Sequence, residues 1–174
     1  TPFLSGPHLY QDQTFIEYTY RLEYNRHKKP ENTPSKPQEV PKMASSNIKK
    51  TLPADIHKVW EIVLDIENYH TWRSDLSRTE IISEKQFAEY TIKGYPTVFT
   101  VTAQNPYSRW EFDMENSNMT GHWIGIFTPR GDETEIDFTE HVAAKKFFLR
   151  PLIKSHLKKQ QAQFVEDLRK ALLR

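Results

Sequence analysis

The sequence contains no cysteine, so disulfide bonds, thiolate metal sites and a cysteine nucleophile are all excluded. No apolar run approaches the ~20 residues of a membrane-spanning helix. The chain also lacks a surplus of either charge, because 24 Lys and Arg residues stand against 23 Asp and Glu residues. Nucleic acids and anionic membranes attract proteins that have a basic surplus. We therefore expect no nucleic-acid partner and no integral association with a membrane.

Motifs for metal and cofactor chemistry are missing as well. The seven histidines form neither a His-x-His nor a His-Glu-x-x-His pattern. Serine nucleophile motifs and glycine-rich phosphate loops are also absent. The first residues lack the basic and apolar regions of a secretory signal peptide. We therefore predict no metal ion, no cofactor and a cytoplasmic location.

Residues 1–42 differ in composition from the rest of the chain. They hold six of the eleven prolines and no tryptophan. Residues 15–24 alternate apolar and polar side chains as a β-strand does, whereas residues 25–42 have the composition of a proline-rich, solvated linker. A lone strand is not stable in water. It is therefore an extra edge strand, a strand exchanged in a homodimer, or a segment appended to the natural sequence. We predict that the main domain spans residues 43–174.

A long amphipathic helix is predicted over residues 149–173. At 3.6 residues per turn, one face carries the apolar side chains of Leu149, Ile153, Leu157, Phe164, Leu168 and Ala171. Gln160 projects from within this stripe, and His156 lies at its edge. Because an apolar helix face needs a partner surface, we predict a curved sheet wrapped around this helix.

The chain before this helix predicts one strand, two short helices and a series of antiparallel strands. The first strand lies near residues 47–51, and the two helices begin near Pro53 and Asp65. From Leu76 to about Val142, strands alternate with turns. The turn centres are Gly94-Tyr95, Asn105-Pro106, Ser117-Asn118 and Arg130-Gly131.

Loop length decides which residues of adjacent strands face each other, so even-numbered loops at these turns predict a register. One row across the sheet then contains Tyr90, Phe99, Phe112, Trp123 and Phe138. A second row contains Ala88, Val101, Trp110, Gly125 and Ile136, and a third contains Ile92, Thr97, Met114, Gly121 and Glu140. All three rows are predicted to face the C-terminal helix.

Three segments resemble a known family. Val59–Leu76 (Val-Trp-Glu-Ile-Val-Leu-Asp-Ile-Glu-Asn-Tyr-His-Thr-Trp-Arg-Ser-Asp-Leu) resembles the early segment of START-like proteins. Gly121–Phe127 and Ile136–Val142 resemble the matching late strands. Over residues 43–174 the chain is most similar to the polyketide cyclase/dehydrase-like branch of the SRPBCC superfamily. The resemblance implies an α+β helix-grip fold, in which a curved antiparallel sheet wraps around a long C-terminal helix and two short helices follow the first strand.

Large aromatic side chains on the inward face predict a cavity for a flat, hydrophobic ligand, with ordinary core packing as the alternative. Gly121 and Gly125 share this face and are expected to leave space between sheet and helix. The predicted ligand-binding residues are Tyr90, Phe99, Trp110, Phe112, Trp123, Phe138, Glu140, Ile153, Gln160 and Phe164. Arg73 and Asp75 are predicted to tie the second helix to the next strand.

Glu140 is the one carboxylate that the predicted register turns inward. In a pocket of low dielectric constant its pKa would rise, and it would suit general acid–base chemistry. If the strand bends near His141, Glu140 reaches water at the rim instead.

Three functions compete, because the superfamily places lipid carriers, hormone receptors, cyclases and co-chaperone-like proteins on one scaffold. The first is binding or transport of a hydrophobic, lipid- or polyketide-like small molecule. The second is a cyclase or dehydratase that uses Glu140, Tyr90 and His156 to move protons. The third is a protein-interaction module similar to the heat-shock-protein ATPase activators. The sequence offers no strong acid–base pair, so non-catalytic binding is the leading prediction.

Overall fold

The structure, a computed structural model, describes residues 43–174. It begins with strand β1 (Met43–Leu52), helix α1 (Ile56–Leu64), a short 3₁₀ helix (Ile66–Asn68) and helix α2 (Tyr69–Trp72). The next strands are β2 (Leu76–Ser83), β3 (Gln86–Thr91), β4 (Pro96–Asn105), β5 (Arg109–Glu115), β6 (Met119–Arg130) and β7 (Glu133–Ala144). A second 3₁₀ helix (Phe147–Leu149) then leads into the long helix α3 (Arg150–Leu172). The strand, linker and homodimer predicted for residues 1–42 lie outside the described residues.

The seven strands form one antiparallel sheet, in the order β1-β7-β6-β5-β4-β3-β2. Strand β7 shows the alternation that a sheet with one covered face requires. Its residues Thr134, Ile136, Phe138, Glu140 and Val142 are buried, and the residues between them are half-exposed. Helix α3 packs on the buried face. The predicted helix-grip fold is therefore confirmed, including the two short helices after the first strand.

Local sequence signals set the ends of the helices. The Asp55 carboxylate caps α1, where it accepts hydrogen bonds from the backbone N–H groups of His57 and Lys58 (2.9 and 3.3 Å). Pro151 lies in the first turn of α3, where its missing N–H leaves no helical hydrogen bond unmade. At the far end of α3, Lys58 Nζ donates to the Leu172 carbonyl oxygen (2.8 Å), which joins α1 to α3.

The buried face of α3 differs from the predicted stripe at its glutamines. Gln160 is exposed, whereas its neighbour Gln161 is buried. Strand β1 explains the difference, because Ser46 Oγ donates to Gln161 Oε1 (2.7 Å) and the Ser46 carbonyl oxygen accepts from Gln161 Nε2 (3.3 Å). A glutamine whose hydrogen bonds are satisfied in this way is buried at little cost. Hydrophobic periodicity has no means of detecting such a partner.

The register at the centre of the sheet keeps the predicted face. Phe112 faces Trp123 across β5 and β6, as predicted. The β6–β7 turn is centred on Gly131-Asp132, one residue later than predicted, so Trp123 faces Glu140. Such a change shifts the pairing by two residues. Because side chains alternate with a period of two, each one stays on its predicted face.

The β4–β5 pair keeps its predicted inward face, although its loop is not the predicted one. Its loop contains three residues, 106–108, and an odd loop reverses the face of one strand. A bulge between Val101 and Ala103 then adds one more residue and restores the face. Phe99 consequently pairs with Met114 and remains directed inward.

Strand β3 turns toward the C-terminal helix the face that the sequence predicted to point away from it. Tyr90 pairs with Pro96, so five residues separate the ladder ends and the loop is odd. Gly94 has a φ of +81° and donates its N–H to the Thr91 carbonyl oxygen (2.8 Å), which closes this loop. Tyr90 therefore faces away from the helix, where its hydroxyl donates to Glu80 (3.0 Å). The prediction that Tyr90 lines the pocket is wrong, and Ile92, also predicted to face inward, is exposed.

The two inward glycines accommodate neighbouring atoms rather than leaving open space. A side chain at Gly121 would meet the His141 carbonyl oxygen at 2.8 Å and Val142 Cγ2 at 2.9 Å. A side chain at Gly125 would collide with the indole of Trp123, which lies directly over it. The expectation of empty room at these positions is therefore wrong. Gly125 instead allows Trp123 to lie flat against the sheet.

Replacing Gly125 with Ala should lower the free energy of unfolding by about 1–3 kcal/mol, because the added methyl group forces the Trp123 indole out of its packed position. Urea denaturation followed by circular dichroism measures this change. Thr128→Ala, on the outer face of the same strand, is the matched control. Equal losses in the two variants would contradict the packing described for Trp123.

Candidate functional site

A cavity of about 130 Å³ lies between the inward face of the sheet and helix α3. An apolar cavity of about 150 Å³ accommodates benzene, so the space suits a ring-sized molecule. Every strand from β2 to β7 contributes to its wall. The lining residues are Tyr69, Arg73, Asp75, Leu76, Phe87, Glu89, Thr91, Thr97, Phe99, Trp110, Phe112, Met114, Met119, Trp123, Phe138, Glu140, Gln160, Gln161 and Phe164.

Interlocking aromatic rings form the sheet side of the cavity. Phe112 and Trp123 are stacked, with ring centroids 4.8 Å apart and an interplanar angle of 4°. Phe87 and Phe99 are stacked in the same way at 4.8 Å. Trp110 meets Phe112 edge-on at 4.9 Å. Such contacts hold the rings in fixed orientations, so the wall is preorganised.

Trp110 brings a polar atom into this wall. The side chain is only 2% exposed. Its Nε1 is buried and has no hydrogen-bond partner among residues 43–174. A buried indole N–H ordinarily finds an acceptor. The Trp110 indole N–H is therefore an unused hydrogen-bond donor within residues 43–174.

Glu140 lies on the neighbouring row of the sheet, opposite Trp123. It is 7% exposed, so the alternative in which it reaches water at the rim does not hold. Burial, and to a smaller degree the charge of Glu89, raises the pKa of Glu140 from 4.5 to about 7. No hydrogen bond from the described part of the chain opposes this rise. Near neutral pH the carboxyl group exists in both protonation states.

Arg73 and two carboxylates form a buried ionic group at the end of the cavity near α2. The Arg73 guanidinium donates to Glu89 Oε1 (2.6 Å) and makes two hydrogen bonds to Asp75 (3.1 and 2.8 Å). It also lies over the rings of Tyr69 and Phe164, at 5.4 and 5.2 Å from their centroids. The predicted tie between the second helix and the next strand is present, since Glu89 lies on β3 and Asp75 precedes β2.

The pKa values in this group follow from burial and pairing. Burial alone would lower the pKa of Arg73, but Glu89 and Asp75 raise it, so Arg73 is a cation. Burial raises the pKa of Glu89, and the attraction of Arg73 offsets this only in part. The two carboxylates thus balance the charge of Arg73 and accept three hydrogen bonds from its guanidinium.

The structure brings together most, but not all, of the predicted pocket residues. Phe99, Trp110, Phe112, Trp123, Phe138, Glu140, Gln160 and Phe164 line the cavity. Tyr90, Ile153 and His156 do not line it. Ile153 packs on the core, and His156 is exposed on α3. His156 is not part of the cavity wall, so the structure does not place it for the acid–base role considered for it.

The cavity wall also contains residues that were not foreseen as pocket residues, among them Phe87, Glu89, Arg73 and Gln161. Phe87 and Glu89 follow from the odd β3–β4 loop, for which Gly94 is the available sequence signal because it favours a positive φ. Gln161 has no comparable signal, because its partner Ser46 is distant in sequence. The local pair of Arg73 and Asp75 is visible in the sequence, but the contact of Arg73 with Glu89 is not.

Two negative findings concern the described residues. Residues 43–174 contain no group of three or more His, Asp or Glu side chains that could hold a metal ion. Within the same range, no helix combines the length and apolar character needed to cross a membrane.

The sheet, the long helix and the cavity between them define a START-like helix-grip domain. A START superfamily protein from Mycobacterium smegmatis has this fold, with a TM-score of 0.64 and 17% identity over 75% of this chain and 96% of that chain. The Zhui aromatase/cyclase from a Streptomyces species has a TM-score of 0.64 and 13% identity over 76% of this chain and 95% of that chain. A conserved protein from Geobacillus kaustophilus has a TM-score of 0.65 and 14% identity over 74% and 95%. At these identities the likeness shows the fold alone.

The chain belongs to the family described as polyketide cyclase / dehydrase and lipid transport, whose profile matches residues 43–173. The predicted resemblance is therefore confirmed. The family description covers both catalysis and transport, so membership does not choose between them. No curated protein matches the chain.

Proposed function

We propose that the domain binds and carries a hydrophobic small molecule, lipid- or polyketide-like, in the cavity between the sheet and α3. The observation that carries the proposal is the preorganised aromatic wall of a cavity whose volume is about 130 Å³. Ligand sites are typically concave and mostly apolar, with a few polar groups that fix orientation. Glu140 is such a group in this cavity.

The polar groups favour carrying over cyclisation or dehydration. Acid–base catalysis of those reactions needs a proton donor and an acceptor placed on the same substrate. Glu140 titrates near neutral pH, and the second carboxyl group in the cavity wall, Glu89, is held by the Arg73 guanidinium at 2.6 Å and is not hydrogen-bonded to Glu140. Tyr90 and His156, the partners considered for it, are absent from the cavity wall. The interaction-module alternative depends on residues 1–42, which lie outside the described residues.

Native mass spectrometry of the purified protein should reveal a co-purified small molecule of constant mass. Thr97→Trp should abolish the bound mass, because Thr97 lines the cavity and the larger side chain fills it. Thr100→Trp is the matched control, since Thr100 lies on the outer face of the same strand. Each threonine accepts one side-chain hydrogen bond of 3.1 Å, from Asn116 and Gln86 respectively. Both variants therefore lose one comparable contact.

A bound mass that survives in Thr97→Trp would contradict the proposed location. Carrying further requires that the compound be recovered chemically unchanged after prolonged incubation. A product lighter by one water, formed by the wild type and not by Glu140→Gln, would instead support dehydratase chemistry.

A further inference from the structure

Glu140 is a buried carboxyl group without a partner among residues 43–174. It is 7% exposed, and its side chain lines the cavity. No hydrogen bond or ion pair from the described residues reaches it. Of the unpaired side-chain nitrogen and oxygen atoms of buried residues in this range, only Trp110 Nε1 is fully shielded. The Glu140 oxygens therefore retain accessible surface, and a ligand in the cavity can reach them.

The groups around Glu140 supply no counterion. Its cross-strand neighbours are Ser46 on β1 and Trp123 on β6, and neither carries a charge. The Ser46 hydroxyl donates to Gln161 instead (2.7 Å). The one described charge that acts appreciably on Glu140 is that of Glu89, which is negative. An ionised Glu140 is therefore an unbalanced negative charge in an apolar cavity, a state that costs free energy until a cation compensates it.

The cavity wall as a whole has an excess of carboxyl groups. The one cation among the described lining residues is Arg73, which is hydrogen-bonded to both Asp75 and Glu89. No lysine or histidine from residues 43–174 lines the cavity, and helix α3 contributes only uncharged side chains to its wall. The third carboxyl group, Glu140, is left without a basic partner. An anionic ligand would add to this excess of negative charge, whereas a cationic ligand would offset it.

Arg73 shows how this wall holds a positive charge. Its guanidinium pairs with a buried carboxylate and lies over the rings of Tyr69 and Phe164, at 5.4 and 5.2 Å from their centroids. Aromatic rings attract a cation that lies close to them. Glu140 also has an aromatic neighbour, because Trp123 lies opposite it and lines the same cavity. The surroundings of Glu140 thus suit a cation, but the described residues supply none.

We propose that the ligand is a hydrophobic amine whose protonated amino group pairs with the Glu140 carboxylate, while its apolar part packs against the aromatic wall. This inference rests on the proposed function and narrows it to a ligand class. The cavity volume of about 130 Å³ is sufficient for an amine with a single ring.

Three single-ring probes of nearly equal size test this pairing. Ethylbenzene, benzyl alcohol and benzylamine share one skeleton and differ only in its last group, which is methyl, hydroxyl or ammonium. Their dissociation constants are measured by NMR titration between about pH 5.5 and about pH 8, a range in which an alkyl amine stays protonated. Because the probes match in size, the ratio of two dissociation constants for one protein cancels any change in cavity volume.

In the wild type, the preference for benzylamine over ethylbenzene should increase about tenfold from the lowest to the highest pH. The pKa of Glu140 is about 7, so its ionised fraction rises across this range and the ammonium group gains its partner. The affinities for ethylbenzene and benzyl alcohol should change far less, since neither probe carries a charge. This measurement needs no variant. A preference that does not increase with pH would overturn the inference.

At the highest pH, Glu140→Gln should reduce the preference for benzylamine over ethylbenzene about tenfold and remove its dependence on pH. The variant keeps Arg73, Asp75 and Glu89, so a pH dependence that survives in it arises from those groups and contradicts the pairing. Glu133→Gln, at the exposed start of the same strand, is the matched control and should keep both the preference and its pH dependence.

The same titrations separate this inference from the proposed function. If ethylbenzene binds saturably but benzylamine has no advantage over it, or keeps its advantage in Glu140→Gln, the inference is overturned while the proposed function stands. If none of the three probes binds saturably, both are overturned.

Discussion

Arg73→Met should lower the free energy of unfolding by about 3–5 kcal/mol, because it leaves the buried Glu89 carboxylate without its cation. The Arg73 and Glu89 side chains are 10% and 11% exposed, and their charged atoms are 2.6 Å apart. Burial raises the pKa of Glu89 even with Arg73 present, so the pair as a whole is not strongly stabilising. Removing one partner is nevertheless costly, since the other cannot be hydrated without opening the core.

Urea denaturation of the wild type, Arg73→Met, Glu89→Met and the double variant measures this effect. The double variant Arg73→Met/Glu89→Met should be more stable than Arg73→Met alone, because no uncompensated charge remains. Arg78→Met is the matched control, since Arg78 pairs with Glu80 on the exposed side of the sheet. If the losses of Arg73→Met and Glu89→Met simply add in the double variant, the two side chains are not coupled as the structure indicates.

Glu140→Gln should stabilise the protein increasingly as the pH rises. The pKa of Glu140 is about 7 in the folded protein, against 4.5 for an ordinary glutamate. Below pH 4.5 the carboxyl group is protonated in both states, and it closely resembles the amide of glutamine. Between 4.5 and 7 the unfolded chain releases this proton while the folded protein retains it, so stability falls. Above 7 the full difference of about 3 kcal/mol is present.

The measured quantity is the difference in unfolding free energy between Glu140→Gln and the wild type across this pH range. It should be near zero at pH 4 and approach about 3 kcal/mol above pH 7.5. Glu133→Gln, at the exposed start of the same strand, provides the baseline. If the difference for Glu140→Gln has the same pH dependence as that for Glu133→Gln, Glu140 is solvated. That result would contradict both the burial of Glu140 and its proposed part in ligand binding.

The helix-grip fold is predictable from the sequence because an error of two residues in strand pairing leaves each side chain on its predicted face of the sheet. The β6–β7 turn is displaced by one residue, yet Trp123, Phe138 and Glu140 keep their faces, since a shift of two preserves the alternation. A loop with an odd number of residues, where an even number is predicted, instead reverses the face that the next strand presents. The five-residue loop at residues 91–95, an odd number, exchanges Tyr90 for Phe87 and Glu89 in the cavity wall.

The chemistry of the cavity is less predictable from sequence than its position. The burial of Gln161 depends on Ser46, and that of Arg73 on Glu89. These partners lie far apart in the sequence, so no local pattern marks them. Gly125 is a similar case. The sequence predicts open space beside it, and only the structure shows that Trp123 occupies that space.

The most direct test of a ligand cavity between sheet and helix uses the indole N–H signals of tryptophan in an NMR titration with ethylbenzene. The chain has four tryptophans, of which Trp110 and Trp123 line the cavity and Trp60 lies in the core outside it. The signals of Trp110 and Trp123 should shift with one common, saturable dissociation constant while that of Trp60 stays in place. Shifts confined to Trp60, or no saturable shift of Trp110 and Trp123, would contradict a ligand cavity at this site.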